Sequence, residues 1–243
     1  MEPTALPGIG SKVEGIHSVK AALDAGRVTK LLIETSRKKR LGELLSQAGT
    51  EVQVQYVADV RPEAETTAPQ GVVAICRPIA TVSLEDLASG DRPAILVLDH
   101  LEDPHNVGAI ARSALAAGMS GLVVSSVRSA PLGSTAFKAS VGALEKLPVA
   151  VVSSVANALT RLRQLGVWTV GLDAQGTESL FGLGLASEPI AVVIGAEGAG
   201  LAQLVAERCD VIVSIPMAEA SESLNASVAA ALAAFEIRRA RSD

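Results

Sequence analysis

The order of apolar and polar positions along the chain predicts an α/β protein in two parts. Between residues 12 and 77, positions 17–25 read as a helix closed by Gly26, a residue type common just past a helix C-terminus. Positions 30–34 read as a short strand. Leu41, Leu44 and Leu45 put an apolar stripe on a helix over 40–48, which Gly49 ends. Val52, Val54 and Tyr56 alternate with polar residues, so 51–57 predicts a strand with one apolar face, and 71–76 predicts a further strand. Residues 78–92 read as a connector with Pro78, a short SLEDLAS turn and Gly90. Beyond it the rhythm is strand and helix in alternation. Strands are expected at 95–98, 122–125, 149–152, 168–172, 190–194 and 211–215, with helices between most of them and a last helix over 225–239. These strands are apolar runs without alternation, as suits strands buried on both faces. The fold class is therefore α/β with a parallel-rich sheet over 93–243, preceded by a small α/β unit over 12–77.

Composition narrows the class. Of 243 residues, 49% are apolar, which excludes a chain too polar to fold. A chain of this length buries roughly 70% of its unfolded surface without disulfides or metal. Alanine is abundant at 40 residues, concentrated in the helical stretches 109–117 and 226–234, where small side chains allow close packing on a sheet or between subunits. Cys76 and Cys209 stand alone, the three histidines form no H-E-x-x-H, and no metal site is expected. The first residues lack an apolar signal-peptide core and no run reaches the ~18 apolar residues of a membrane span, so a cytoplasmic protein away from the membrane is expected.

A net charge of −5 and five aromatics (Tyr56, Phe137, Trp168, Phe181, Phe235) argue against nucleic acid as a partner: there is no overall basic footprint and little to stack bases on. The sum hides a split. Residues 12–80 carry +2 and residues 81–243 carry −6, with Glu2 supplying the last charge. Arg37-Lys38-Lys39-Arg40 is the densest basic run, and it reads either as a solvated helix start or as a patch that tracks phosphates.

Three stretches carry candidate chemistry, and each follows a strand, where ligands bind in open α/β sheets. The first, DHLEDPHNVGAIAR over 99–112, opens a helix near Asn106, a good N-cap residue. Arg112 lies six residues on and faces another side. Its plain reading is a capped helix with an exposed arginine. The second, GAEGAGL over 195–201, has three glycines that permit close backbone approach to a ligand. Glu197 spoils a G-x-G-x-x-G, and no G-K-[ST] follows, so neither dinucleotide nor P-loop binding is indicated. The third, IPMAEASESLNASV over 215–228, leads through Ser221, Ser223 and Asn225 into the last helix. These polar residues can cap that helix, though one cap needs only one of them.

Taken together, DPHNVGAIAR, VIGAEGAGL and IPM…SLNASVA, in this order and spacing over 94–241, resemble the SpoU family of RNA 2′-O-ribose methyltransferases in the SPOUT class. EGIHSVKAAL and QGVVAI resemble the small L30e-like substrate-binding domain of the 23S rRNA guanosine 2′-O-methyltransferases of the RlmB type. Pro69 stands where many relatives have histidine before Gln-Gly. The resemblance implies a catalytic domain whose C-terminal segment forms a trefoil knot, a rare exception to unthreaded chains. It implies S-adenosyl-L-methionine as cofactor, a homodimer through the catalytic domain, and structured RNA as partner, rRNA favoured and tRNA possible. It assigns catalytic roles to Asn106, Arg112, Glu197, Ser223 and Asn225, and cofactor binding to Gly195, Ile215, Met217 and Leu224. Arg112 would engage an RNA phosphate beside the target ribose, in its own site or its partner's. The competing readings are a tRNA ribose methyltransferase and an inactive RNA-binding relative. A nucleotide-dependent oxidoreductase would require a glycine fingerprint where DHLEDPHN stands.

Overall fold

The computed structural model describes residues 8–196, 198, 200–218 and 223–242. In the first unit, β1 (Lys12–Glu14), α1 (Ile16–Asp24), β2 (Val28–Glu34), α2 (Gly42–Gln47), β3 (Gln53–Val57) and β4 (Val72–Cys76) build a four-stranded sheet in the order β1-β4-β2-β3. β4 runs antiparallel to β1 and β2, and β2 runs parallel to β3. The connector contains one helical turn, α3 (Leu84–Leu87), where sequence indicated only a turn. Ser83 and Asp86 cap it reciprocally: the Ser83 hydroxyl accepts from the Asp86 N–H, and the Asp86 carboxylate accepts from the Ser83 N–H.

The second unit contains β5 (Ala94–Leu98), α4 (Pro104–Ala117), β6 (Gly121–Ser125), α5 (Ser134–Ser140), β7 (Val149–Val152) and α6 (Val155–Gln164). It continues through β8 (Trp168–Leu172), β9 (Glu178–Ser179), β10 (Ile190–Ile194), α7 (Gln203–Ala206), β11 (Val211–Ser214) and α8 (Ala226–Ala240). The seven strands pair in parallel throughout, in the order β7-β6-β5-β10-β8-β11-β9. β5, β6 and β10 are buried along their whole length. Leu96, Leu122 and Val192 join the core on the face covered by α4 and α8, while Ile95, Val123 and Val193 join the core under α6. Each such side chain contributes about 1.5–3 kcal/mol by leaving water. This is the parallel-rich sheet that unbroken apolar runs predict.

Alanines set the helix spacing. Ala111 and Ala114 of α4 and Ala230 and Ala233 of α8 are fully buried where the two helices pack together. α5 crosses α4 at Gly108, where a β-carbon would stand 2.5 Å from the Ala136 carbonyl oxygen and from Ala139 Cβ.

Two sequence expectations need correction. α4 begins at Pro104 with Asp103 as its cap, and Asp103 Oδ1 accepts the His105 N–H at 2.8 Å. Proline suits the first helical position, having no N–H to satisfy, so Asn106 lies inside the first turn and is not the cap. β3 is an edge strand and Tyr56 is 45% exposed rather than part of an apolar inner face. Lys38 Nζ sits 4.8 Å from the Tyr56 ring centroid instead. β1 and β9, of three and two residues, are too short for any period to reveal.

The two units are joined by buried polar contacts. Arg27 grips Glu145 through two bonds, Nε to Oε2 at 2.5 Å and Nη2 to Oε1 at 2.6 Å, and also donates to the Gly10 and Arg77 carbonyls. The Ser18 hydroxyl donates to the Phe137 carbonyl and the Ser134 hydroxyl to that of Lys12. Among the described residues, no helix is long and apolar enough to cross a membrane.

Candidate active site

A parallel sheet points all its carboxyl ends the same way, so the loops after β5, β8, β10 and β11 gather at one edge. The strand order turns back between β5 and β10, the position where open sheets leave a crevice. Three of these loops are the stretches singled out in the sequence. The fourth, after β8, was missed.

A cleft of about 280 Å³ opens here and is lined by Gly195, Ile215, Met217 and Leu224, the four residues expected to bind cofactor. Ser223 lines it too, as do Leu172, Asp173 and Gln175 from the β8 loop. The glycines of 195–200 are required by geometry. Ala196 and Gly200 exchange two backbone hydrogen bonds of 3.0 Å, closing the loop so tightly that a β-carbon on Gly195 would lie 2.3 Å from the Gly200 carbonyl. Gly200 has φ +66°, and a β-carbon there would meet Asp173 Oδ2 at 2.7 Å. Asp173 accepts the Gln175 N–H and its own N–H donates to the Val213 carbonyl, so its carboxylate is held against the glycine loop. The signal for Asp173 was available: it is the first residue after its strand, as Asp99, Gly195 and Ile215 are after theirs.

A second cleft, about 580 Å³, shares Ala196 and Gly200 with the first. Asp99, His100, Asn106 and Arg128 line it. Asn106 is buried, and its Oδ1 accepts from Asn225 Nδ2 at 3.2 Å across 119 residues of sequence. Asn225 also caps α8, its Oδ1 accepting the Ser227 N–H at 2.8 Å. The side chain of Asn225 thus caps α8 and reaches Asn106 at once, though Asn225 itself lines neither cleft. Asp99 is 1% exposed; its Oδ2 accepts the Ala202 N–H at 3.0 Å, and its Oδ1 lies 2.6 Å from His100 Nδ1.

Arg112 is exposed on the side of α4 away from Asn106 and lines neither cleft of its own chain. A separate groove between α4 and α8 is lined by Ala109, Ser113, Ala231 and Phe235. Glu197 and Ser221 lie outside the described residues. Burial pushes the Cys76 thiol up to about 11 and the Cys209 thiol up to about 12, so neither supplies a thiolate nucleophile at neutral pH. Among the described residues, no three of His, Cys, Asp and Glu cluster as metal ligands.

In the first unit the two quoted motifs touch. Gln70 Oε1 accepts the Ile16 N–H at 2.9 Å, and Gly71, at φ +82°, leaves room for Arg37, whose Cγ would stand 2.6 Å from a β-carbon there. The exposed run 37–40 therefore starts where QGVVAI and EGIHSV meet.

Residues 93–235 match the SpoU rRNA Methylase family, and residues 12–82 match the RNA 2′-O ribose methyltransferase substrate binding family. The chain belongs to the SpoU family. It is 37% identical over 238 residues to a protein of Staphylococcus saprophyticus named for the TrmH family of tRNA/rRNA methyltransferases, covering 94% of this chain and 95% of that one. The SpoU methyltransferase AviRb of Streptomyces viridochromogenes, solved in complex with the cofactor AdoMet, superposes with a TM-score of 0.81 at 30% identity, covering 95% of this chain and 90% of the other. An AdoMet-bound rRNA methyltransferase of Sinorhizobium meliloti gives 0.77 at 25% identity, over 96% and 88% of the two chains. As a SpoU protein the chain is an RNA methyltransferase that uses S-adenosylmethionine. The smaller cleft suits that cofactor, with apolar walls at Leu172, Ile194, Met217 and Leu224, a carboxylate at Asp173, and bare backbone at the glycines.

Proposed function

We propose that this chain transfers a methyl group to a ribose 2′-oxygen in structured RNA, with a guanosine of 23S rRNA as the favoured target. The observation that carries this reading is the juxtaposition of two clefts through Ala196 and Gly200, one suited to the cofactor and one lined by Asn106, which is hydrogen-bonded to Asn225. The ribose assignment is supported by the match of residues 12–82 to a substrate-binding family of 2′-O ribose methyltransferases.

In this scheme Gly195, Ile215, Met217 and Leu224 hold the cofactor, and Asp173 offers a carboxylate to its hydroxyl or ammonium groups. When bound, S-adenosylmethionine supplies an electrophilic methyl. The residues of the chain must then position a weak nucleophile and exclude water, which is where most of the rate arises. Asn106 and Asn225 orient the nucleotide, and Ser223 and Glu197 shape the loops around it. Arg112 binds the phosphate beside the target ribose; its planar, permanently charged fork suits that task better than lysine. Arg37, Lys38, Lys39 and Arg40 track RNA phosphates at the mouth of the first unit.

Arg112 lines neither cleft of its own chain, which supports a homodimer in which each copy lends Arg112 to the other. The exposed Val228 and Phe235, which line the α4–α8 groove, would be covered in that dimer. The position of β11 between β8 and β9 supports a C-terminal segment threaded into a trefoil knot. An RNA-modifying enzyme of this kind is expected to work in the cytoplasm, and a boundary between recognition and catalytic parts is proposed at residues 78–92.

Ribose methylation mapped across total RNA, in a strain lacking the gene and after its return, tests the reading. Loss and recovery of one 2′-O-methylguanosine in 23S rRNA is the expected result. A site in tRNA would support the second reading; the TrmH-family relatives are named for both tRNA and rRNA.

A further inference from the structure

The larger cleft adjoins the cofactor site and carries charge of both signs. We propose that it holds the base of the target nucleotide, and that Glu102 and Arg128 select guanine there by its hydrogen-bonding edges. This rests on the ribose-methylation reading and deepens it.

The charges of the cleft argue against the RNA backbone as its occupant. Asp99, Glu102 and Asp103 line it against one guanidinium, that of Arg128 on the β6–α5 connection, so a phosphate would be repelled. A base is neutral and carries N–H groups that a carboxylate can accept. Two of the three carboxylates are already engaged: Asp99 accepts the Ala202 N–H and meets His100 Nδ1, and Asp103 caps α4. Neither Glu102 nor Arg128 has a hydrogen-bond or ion-pair partner among the described residues. Opposite charges that share a cleft of about 580 Å³ without closing on each other leave space for a ligand with both donors and acceptors.

The backbone singles out the same place. Among the described residues, Gln70, His100, Arg128 and Val141 are the non-glycine residues at positive φ, and two of them, His100 at +55° and Arg128 at +50°, line this cleft. Such conformations cost energy and cluster where a ligand is clamped.

Guanine satisfies both groups at once. Its N1–H and N2–H lie side by side and match a carboxylate, while its O6 and N7 match the fork of an arginine. Unpaired RNA bases are read on these edges. Adenine would turn an acceptor, N1, toward Glu102 and its amino group toward Arg128, so both contacts would fail. Uracil offers N3–H and O4, one bond to each group in place of two.

The test is single-turnover methyl transfer to a synthetic RNA carrying the mapped site, with guanosine, inosine, 7-deazaguanosine or adenosine at the target. Inosine lacks the N2 amino group and 7-deazaguanosine lacks N7. Wild type should prefer guanosine over each of these two by about 10-fold, and over adenosine by more than about 100-fold. Glu102→Ala should erase the preference over inosine and keep that over 7-deazaguanosine; Arg128→Ala should do the reverse. Calorimetric affinity for S-adenosylmethionine should stay within about twofold in both variants, since neither residue lines the cofactor cleft. Wild-type preferences retained in either variant, equal wild-type rates on guanosine and inosine, or a mapped target other than guanosine would overturn this role and leave the ribose reading standing. Arg128→Ala slowing all four RNAs alike, with a weaker salt dependence, would place Arg128 on the backbone and overturn it too. No 2′-O transfer by wild type to any RNA overturns both.

Discussion

The two sheets of this molecule solve different problems. The seven-stranded sheet is parallel, buried on both faces along β5, β6 and β10, and sits in a segment carrying −6. The four-stranded sheet is mixed, ends in a half-exposed edge strand, and sits in a segment carrying +2. Parallel strands buried on both sides hold loops rigidly at one edge, as a methyl-transfer site requires. An edge strand with a basic turn beside it offers accessible charge, as an RNA backbone requires. Net charge over the whole chain averages these two and hides both.

Breaking the join between the units should have the largest effect. The Arg27–Glu145 side chains are 9% and 1% exposed, and Arg27 has no water to turn to if its partner is lost. Glu145→Ala should destabilise the folded chain by about 3–5 kcal/mol in chemical denaturation, since a buried charge is left without its partner. A loss under 1 kcal/mol would mean that the Arg27–Glu145 pair contributes little to the join between the units. Next is the cofactor cleft. Gly195→Ala places a β-carbon 2.3 Å from the Gly200 carbonyl, so the loop must shift: calorimetry should show weakened affinity for S-adenosylmethionine, and stability should fall by about 1–3 kcal/mol.

How much of this was legible in sequence depended on the length of each signal. Buried strands of four or five apolar residues announced themselves, and 149–152, 168–172 and 190–194 are the strands observed. β9 has two residues and no period, so its existence is decided by pairing with β11. The contact of Asn106 with Asn225 spans 119 residues, which local pattern cannot encode. The SpoU motifs supplied it indirectly, by marking both residues. Asp173 belongs to no quoted motif; its position just after an apolar strand was its one sequence signal, and the meeting of four strand ends gives that signal its meaning. Tyr56 alternates properly, yet its neighbours in the sheet decide exposure, and β3 has a strand on only one side.

Smaller effects sharpen the contrast in charge. Neutralising Arg37, Lys38, Lys39 and Arg40 together should reduce the slope of log affinity for RNA against log salt by about 1–3, while S-adenosylmethionine binding is unchanged. An unchanged slope would return the run to a solvated helix start. The smallest expected effect concerns Glu65, which reaches from the first unit to α5. Burial pushes its carboxyl up, but the Ser134 hydroxyl and N–H and nearby Lys12 together hold it below the usual glutamate range. A depressed folded value stabilises the protein above the unfolded value and is lost as pH falls through the folded one. Glu65→Gln should therefore narrow the stability gap between pH 7 and acid pH, read from denaturant midpoints, and a gap equal to wild type would contradict it.

We propose that the carboxyl edge of the buried sheet performs chemistry on ribose. This is tested most directly by incubating the purified protein with labelled S-adenosylmethionine and 23S rRNA, then digesting the RNA with alkali and with nuclease. Label in alkali-resistant dinucleotides and in 2′-O-methylguanosine, abolished by Arg112→Ala without loss of cofactor binding, is the predicted result. Label on a base, or full transfer by the Arg112→Ala protein, would contradict the account.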